Sequence, residues 1–113
     1  MIIVYGIKEQ LNPIKSKLST VIHQCMQDVL GLPEEKRAHR FIALEREDFY
    51  YPGGRTDAYT VIEINMMPDA KRKLTNNSLK HCSNKLRASF PSHQLILKSP
   101  LKNSPLIAGH FEV

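Results

Sequence analysis

The chain has 113 residues, of which 42% are hydrophobic and 24% charged, a composition that supplies a core and excludes general disorder. No apolar run approaches the roughly 20 residues needed to span a bilayer, and the opening Met-Ile-Ile-Val-Tyr-Gly lacks the basic region and cleavage site of a signal peptide. The formal net charge is +5, with eight Lys/Arg and one acid between Ala70 and Glu112, against eight bases and ten acids in the first 69 residues. The basic half reads as a solvated lysine-rich helix face in preference to an anionic docking surface. Cys25 and Cys82 make neither a disulfide framework nor a zinc spacing. Both fall on apolar helical positions, so the expectation is core thiols in a cytosolic single domain.

In chain order, Ile2–Ile7 is a short β-branched run and reads as a first strand. Asn12-Pro13 then offers an N-cap and a preorganised first helical residue. The apolar positions Ile14, Leu18, Val21, Ile22, Cys25, Met26, Val29 and Leu30 follow spacings of three and four. Gly31 suits a helix C-terminal cap, and Pro33 prevents resumption. His39–Glu45 reads as a second strand, Asp48–Arg55 as a loop turned by Pro52-Gly53-Gly54, and Tyr59–Asn65 as a third strand. Pro68-Asp69 is expected to open a second helix carried by Leu74, Leu79, Cys82, Leu86 and Phe90, with Thr75-Asn76-Asn77-Ser78 a weak stretch inside it. Gln94–Lys98 completes the set as a fourth strand, and the residues from Ser99 to Val113 read as mostly loop.

The order β-α-β-β-α-β predicts an α+β fold in which two βαβ units form a four-stranded sheet with two helices on one face. Strands two and three carry apolar residues on both faces, so the face away from the helices is expected to be covered by another subunit.

The first 68 residues resemble the tautomerase superfamily, specifically its longer chains with two βαβ units, related to 4-oxalocrotonate tautomerase-like and malonate semialdehyde decarboxylase-like proteins. The likeness is carried by the strand Ile2–Ile7, the helix from Asn12 to Leu30, and Gly31-Leu-Pro-Glu-Glu-Lys-Arg37 leading into His39-Arg-Phe. Glu47-Asp-Phe-Tyr-Tyr-Pro52, Gly54-Arg-Thr-Asp57 and Tyr59–Met67 complete it. The resemblance implies one tautomerase-like domain over 1–113, with 1–68 holding the first unit and third strand and 69–113 a second unit with a diverged tail. It implies a cytoplasmic homotrimer, an isomerase-type site at the start of the first strand, and proton transfer on a small carboxylate-bearing enol or keto substrate by an N-terminal proline. Here Ile2 stands where that proline would be. The expected base is therefore the amine of Met1, since α-amino groups as a class titrate at about 7.7–8.0, and the activity is expected to be weak, altered or lost. Lys36 replaces an aspartate of the decarboxylating branch. The tail has no tryptophan, which suggests that the coding frame changed near residue 70.

His39, Arg40, Tyr50 and Arg55 are the expected substrate contacts, because arginine binds a carboxylate bidentately and tyrosine can hydrogen-bond an enolate oxygen. The competing reading pairs Arg40 and Arg55 with Glu45, Glu47, Asp48 or Asp57. Asp57 and Glu63 read first as paired residues and second as carboxylate bases. His23 falls on the polar flank of the first helix. No metal-ligand spacing and no phosphate-cradling loop appears, so neither a metal nor a nucleotide cofactor is expected. The rival from another class is a ferredoxin-like binding module for an anionic ligand or RNA, which shares the element order but lacks here the glycine-flanked aromatic signature.

Overall fold

Residues 1–66 and 72–98, together with the backbone of 106–108, are described by a computed structural model of the chain. The opening run forms β1 (Ile2–Ile7), followed by one turn of helix, α1 (Lys8–Leu11), and by α2 (Lys15–Leu30). Next come β2 (His39–Leu44), a 3₁₀ turn at Arg46–Asp48, and β3 (Tyr59–Ile64). Then α3 (Asn76–Ser89), β4 (Gln94–Lys98) and β5 (Leu106–Ala108) complete the order.

Three boundaries differ from the sequence reading. Asn12 does not cap α2. It closes α1 as its C-terminal cap in a helical conformation, its N–H donating to the Lys8 carbonyl at 3.0 Å. Ile14 takes the cap position of α2 without a side-chain bond. The second correction concerns Thr75 to Ser78. These residues start α3 instead of weakening its middle: Thr75 is extended and its hydroxyl accepts from the Ser78 N–H at 3.1 Å. The short polar side chains that disfavour a helix interior are those that satisfy its first N–H groups. The expected start at Pro68-Asp69 lies outside the described residues. Third, the sheet has five strands, because Leu106–Ala108 adds an antiparallel edge to β4 in a region expected to be loop.

The strand order is β2-β1-β3-β4-β5. β1 pairs with β2 in parallel, β3 with β4 in parallel, and the two units meet where β1 and β3 run antiparallel. Each βαβ unit therefore joins neighbouring strands. The ferredoxin-like alternative requires split units with a strand between the two parallel partners, and this sheet lacks that arrangement.

Strand alternation divides the sheet into two faces. Ile2, Val4, Ile62, Ile64, Leu95 and Leu97 face both helices and share one core with Leu18, Ile22, Cys25 and Met26 of α2 and Leu79, Cys82 and Leu86 of α3. Each large apolar side chain so buried contributes about 1.5–3 kcal/mol. Gly31 ends α2 in the left-handed conformation at φ 66°, its N–H donating to the Gln27 carbonyl, a geometry that glycine adopts without the Cβ penalty. The other face of the sheet carries Arg40, Ile3, Glu63 and Lys98 in one cross-strand row and Ile42, Tyr5, Val61 and Ile96 in the next. Ile42 is 40% exposed there. No helix among the described residues is long and apolar enough to cross a membrane.

Candidate functional site

A cavity of about 520 Å³ opens at the end of the sheet where β1 begins. Three hydrogen bonds place its floor. The Ile2 N–H donates to the Ala38 carbonyl at 3.0 Å, the Asn65 N–H donates to the Met1 carbonyl at 2.9 Å, and the Met1 amine donates to the Asn65 carbonyl at 2.6 Å. Met1 is thus held between the start of β2 and the end of β3. One wall is α2, through His23, Met26 and Leu30; Leu32 and Lys36 come from the connection to β2, and Ile64 and Met66 from the end of β3.

That connection is stitched back onto α2. The His23 Nε2–H donates to the Glu34 carbonyl at 3.0 Å, since a carbonyl can only accept. The Arg37 guanidinium donates to Thr20 Oγ1 at 2.9 Å. Ser19 Oγ shares a hydrogen bond of 2.8 Å with His39 Nδ1. The rings of His23 and His39 meet edge to face with centroids 6.0 Å apart. Desolvation is the main reason that the His39 imidazolium is disfavoured; Arg37, His23 and the N-terminal amine add repulsion, and the group titrates at about 4. At neutral pH His39 is a neutral ring that can donate or accept a hydrogen bond. Among the described lining residues the polar groups are the Met1 amine, Lys36, His23, His39 and Asn65, and none is a carboxylate. An apolar chamber rimmed by the Met1 amine, Lys36 and the neutral His39 ring fits a small molecule with an apolar body and an anionic head.

Of the residues read from sequence, Met1 and His39 meet in this cavity. Arg40 follows His39 along β2, lies on the opposite face of the sheet and is exposed. Tyr50, 87% exposed, and Arg55, half-buried, belong to the connection between β2 and β3. It leaves β2 beside Ile7 and enters β3 beside Gly6, so it lies at the far end of β1, about 17 Å from Met1 by strand rise. Within one chain Tyr50 and Arg55 do not join the Met1 cavity.

At that far end, Asp57 accepts from both the Tyr51 hydroxyl and Arg46, and Tyr51 stacks on Tyr59 with centroids 6.1 Å apart. Asp57 is a paired residue, as its first reading has it. Glu63 Oε1 accepts from Asn65 Nδ2 at 3.1 Å and from the Tyr5 hydroxyl at 3.5 Å.

His23, Lys36 and Asn65 are site residues that the sequence reading did not assign to substrate. His23 was placed on a polar flank, yet it is 5% exposed. The available signal was its spacing of three and seven residues from Met26 and Leu30, which puts all three on one helical face. Among the described residues no three His, Cys, Asp or Glu side chains gather to hold a metal ion.

The fold and the cavity together define an α+β chain of two adjacent-strand βαβ units with an amine- and imidazole-lined pocket at the first strand. No protein-family model matches the chain.

Proposed function

We propose that the chain is a homologue of the tautomerase superfamily whose cavity takes a small carboxylate-bearing enol or keto molecule, with little of the superfamily's usual proton-transfer activity. The observation that carries this reading is the convergence of the Met1 amine, Lys36 and neutral His39 on one apolar cavity whose described lining residues include no carboxylate. Lys36 draws the carboxylate, the apolar walls of Met26, Leu30 and Ile64 hold the body, the neutral His39 ring hydrogen-bonds the substrate, and the Met1 amine moves the proton at the adjacent carbon. The flexible primary amine before Ile2 replaces a fixed secondary-amine ring, which lowers the rate without removing the binding site.

The resemblance also carries a homotrimer. The uncovered row of Ile42, Tyr5, Val61 and Ile96 supports an assembly that closes over this face, with Arg40, Glu63 and Lys98 beside it to set the register. In such an assembly Arg40, Tyr50 and Arg55 would serve the cavity of a neighbouring copy, since none reaches the cavity of its own chain.

The test follows enol-to-keto conversion of an arylenolpyruvate by ultraviolet absorbance. The native protein is run beside an Ile2→Pro variant whose loss of Met1 is verified by mass. The expected result is little or no turnover by the native chain and a clear gain in the variant. Calorimetric binding of an arylpyruvate is measured in parallel and is expected to weaken about tenfold in Lys36→Gln, the size of one charge-assisted contact. Absence of both turnover and binding in native chain and variant alike refutes the assignment.

A further inference from the structure

The two cysteines of the chain lie 57 positions apart and meet at the seam between α2 and α3. Contacts on either side fix their alignment. Toward one end, Lys17 Nζ donates to the Ser89 carbonyl at 3.3 Å and sits 5.2 Å from the centre of the Phe90 ring. Toward the other, the Asp28 carboxylate meets His81 at 3.5 Å and Lys85 at 3.4 Å. The two helices therefore run antiparallel, and Cys25 lies opposite Cys82 between these clasps. Both side chains are in the core cluster, at 1% and 2% exposure. Both are free thiols, one on each helix of this seam.

We propose that Cys25 and Cys82 are a modification site, a thiol pair that small hydroperoxides convert reversibly to a disulfide between α2 and α3. The roles of the two sulfurs differ. Cys82 donates to Cys25, and this bond holds the Cys25 thiol below its usual range, while the same bond and burial push Cys82 up. Cys25 is accordingly the attacking sulfur. Its thiolate forms a bond to one oxygen of hydrogen peroxide as the O–O bond breaks, and the departing hydroxide takes up a proton to leave as water. Cys25 is then a sulfenic acid. The Cys82 sulfur attacks it; the S–S bond forms, the S–O bond breaks, and the hydroxyl leaves with the Cys82 proton as a second water. The two thiols give up two electrons and one peroxide is reduced to two waters. Burial selects the oxidant: a seam closed by Leu79, Leu86 and Leu18 admits a molecule the size of water far more readily than glutathione disulfide.

The experiment treats the native full chain with a few equivalents of hydrogen peroxide without denaturant, blocks remaining thiols by alkylation, and reads intact mass and linked peptides. The expected product is a chain lighter by two hydrogens, closed to alkylation after unfolding, with a Cys25–Cys82 linked peptide that a thiol reductant releases. The same exposure to glutathione disulfide leaves both thiols free. In Cys82→Ser, oxidation is expected to stop at a sulfenic acid on Cys25 that dimedone captures, whereas Cys25→Ser gives none on Cys82. If either variant fails to fold by circular dichroism, the native chain still decides through the rate of disulfide formation. A rate unchanged by low urea supports the pair, and a rate that tracks global unfolding overturns it. Disulfide-linked dimers as the main product, a stable glutathione adduct, or two thiols that remain free also overturn it.

Discussion

His39 offers a direct reading of the cavity's electrostatics. Its ring titrates at about 4 in the folded chain, against about 6.5 for an unperturbed histidine. Because the folded value is the lower one, the unfolded chain binds the proton that the folded chain resists. The stability contributed by the neutral ring is complete above about pH 6.5 and is lost as pH falls toward 4. A separation of roughly 2.5 units, at about 1.36 kcal/mol per unit, caps the loss near 3 kcal/mol. The ring is only half-buried, and solvent screening reduces the expected loss to about 1–2 kcal/mol. The assay is urea unfolding at about pH 7 and about pH 4.5 for the native chain and His39→Asn, whose amide keeps a partner for Ser19 but does not titrate. Carboxylates common to both proteins cancel in the difference. The native chain should lose about 1–2 kcal/mol more than the variant across that interval. Parallel losses, or an imidazole resonance for His39 that titrates near 6.5, would refute the desolvation argument.

Three further outcomes follow from packing. Thr75→Ala removes the hydroxyl that accepts from Ser78 and should lower stability by about 1 kcal/mol in chemical unfolding, with Thr75→Ser retaining most of it. Leu18, fully buried between α2 and the sheet, should cost about 3 kcal/mol as Leu18→Ala, read as a shift in urea midpoint at unchanged slope. Ile42→Lys places a charge in the apolar row of the open face; sedimentation should show a smaller species than the native chain with the fold retained by circular dichroism, and an unchanged species would remove this face from the assembly.

The strands and the body of α2 were legible because their signals are local. Four of the six residues of Ile2–Ile7 are β-branched, and the stripe from Leu18 to Leu30 repeats at helical spacing until Gly31. Where the reading slipped, one residue type had two physical uses. Asn12 is a good N-cap, but a preceding turn of helix had already claimed it as a C-terminal residue. Thr75 to Ser78 are poor helix formers in an interior and good ones at a start, and sequence position alone does not say which applies. The site was half legible. Met1 and His39 were chosen for their chemistry and do share a cavity. Arg40, Tyr50 and Arg55 were chosen for theirs and lie on the other face or at the far strand end, because strand alternation and strand length enter only when the pairing is known. His23 was missed because a histidine beside an apolar stripe looks solvated until a loop folds over it, as Glu34 does here.

The strand order has a consequence for how this chain leaves the ribosome. β1, made before the other strands of this sheet, is an interior strand, and one of its neighbours is β3, which ends at Ile64. β3 in turn has its second neighbour only when β4 is complete at Lys98. Until β3 is complete at Ile64 the nascent chain therefore holds Ile2–Ile7 with an open edge, a segment rich in β-branched residues and suited to pairing with a strand from elsewhere. The helix α2 shields one face of it early, its stripe from Leu18 to Met26 sharing the finished core with Ile2 and Val4. A weakened α2 would on this account lower the yield of folded protein more than it lowers the stability of the molecules that do fold, because the strand is exposed to its neighbours until β3 has been made.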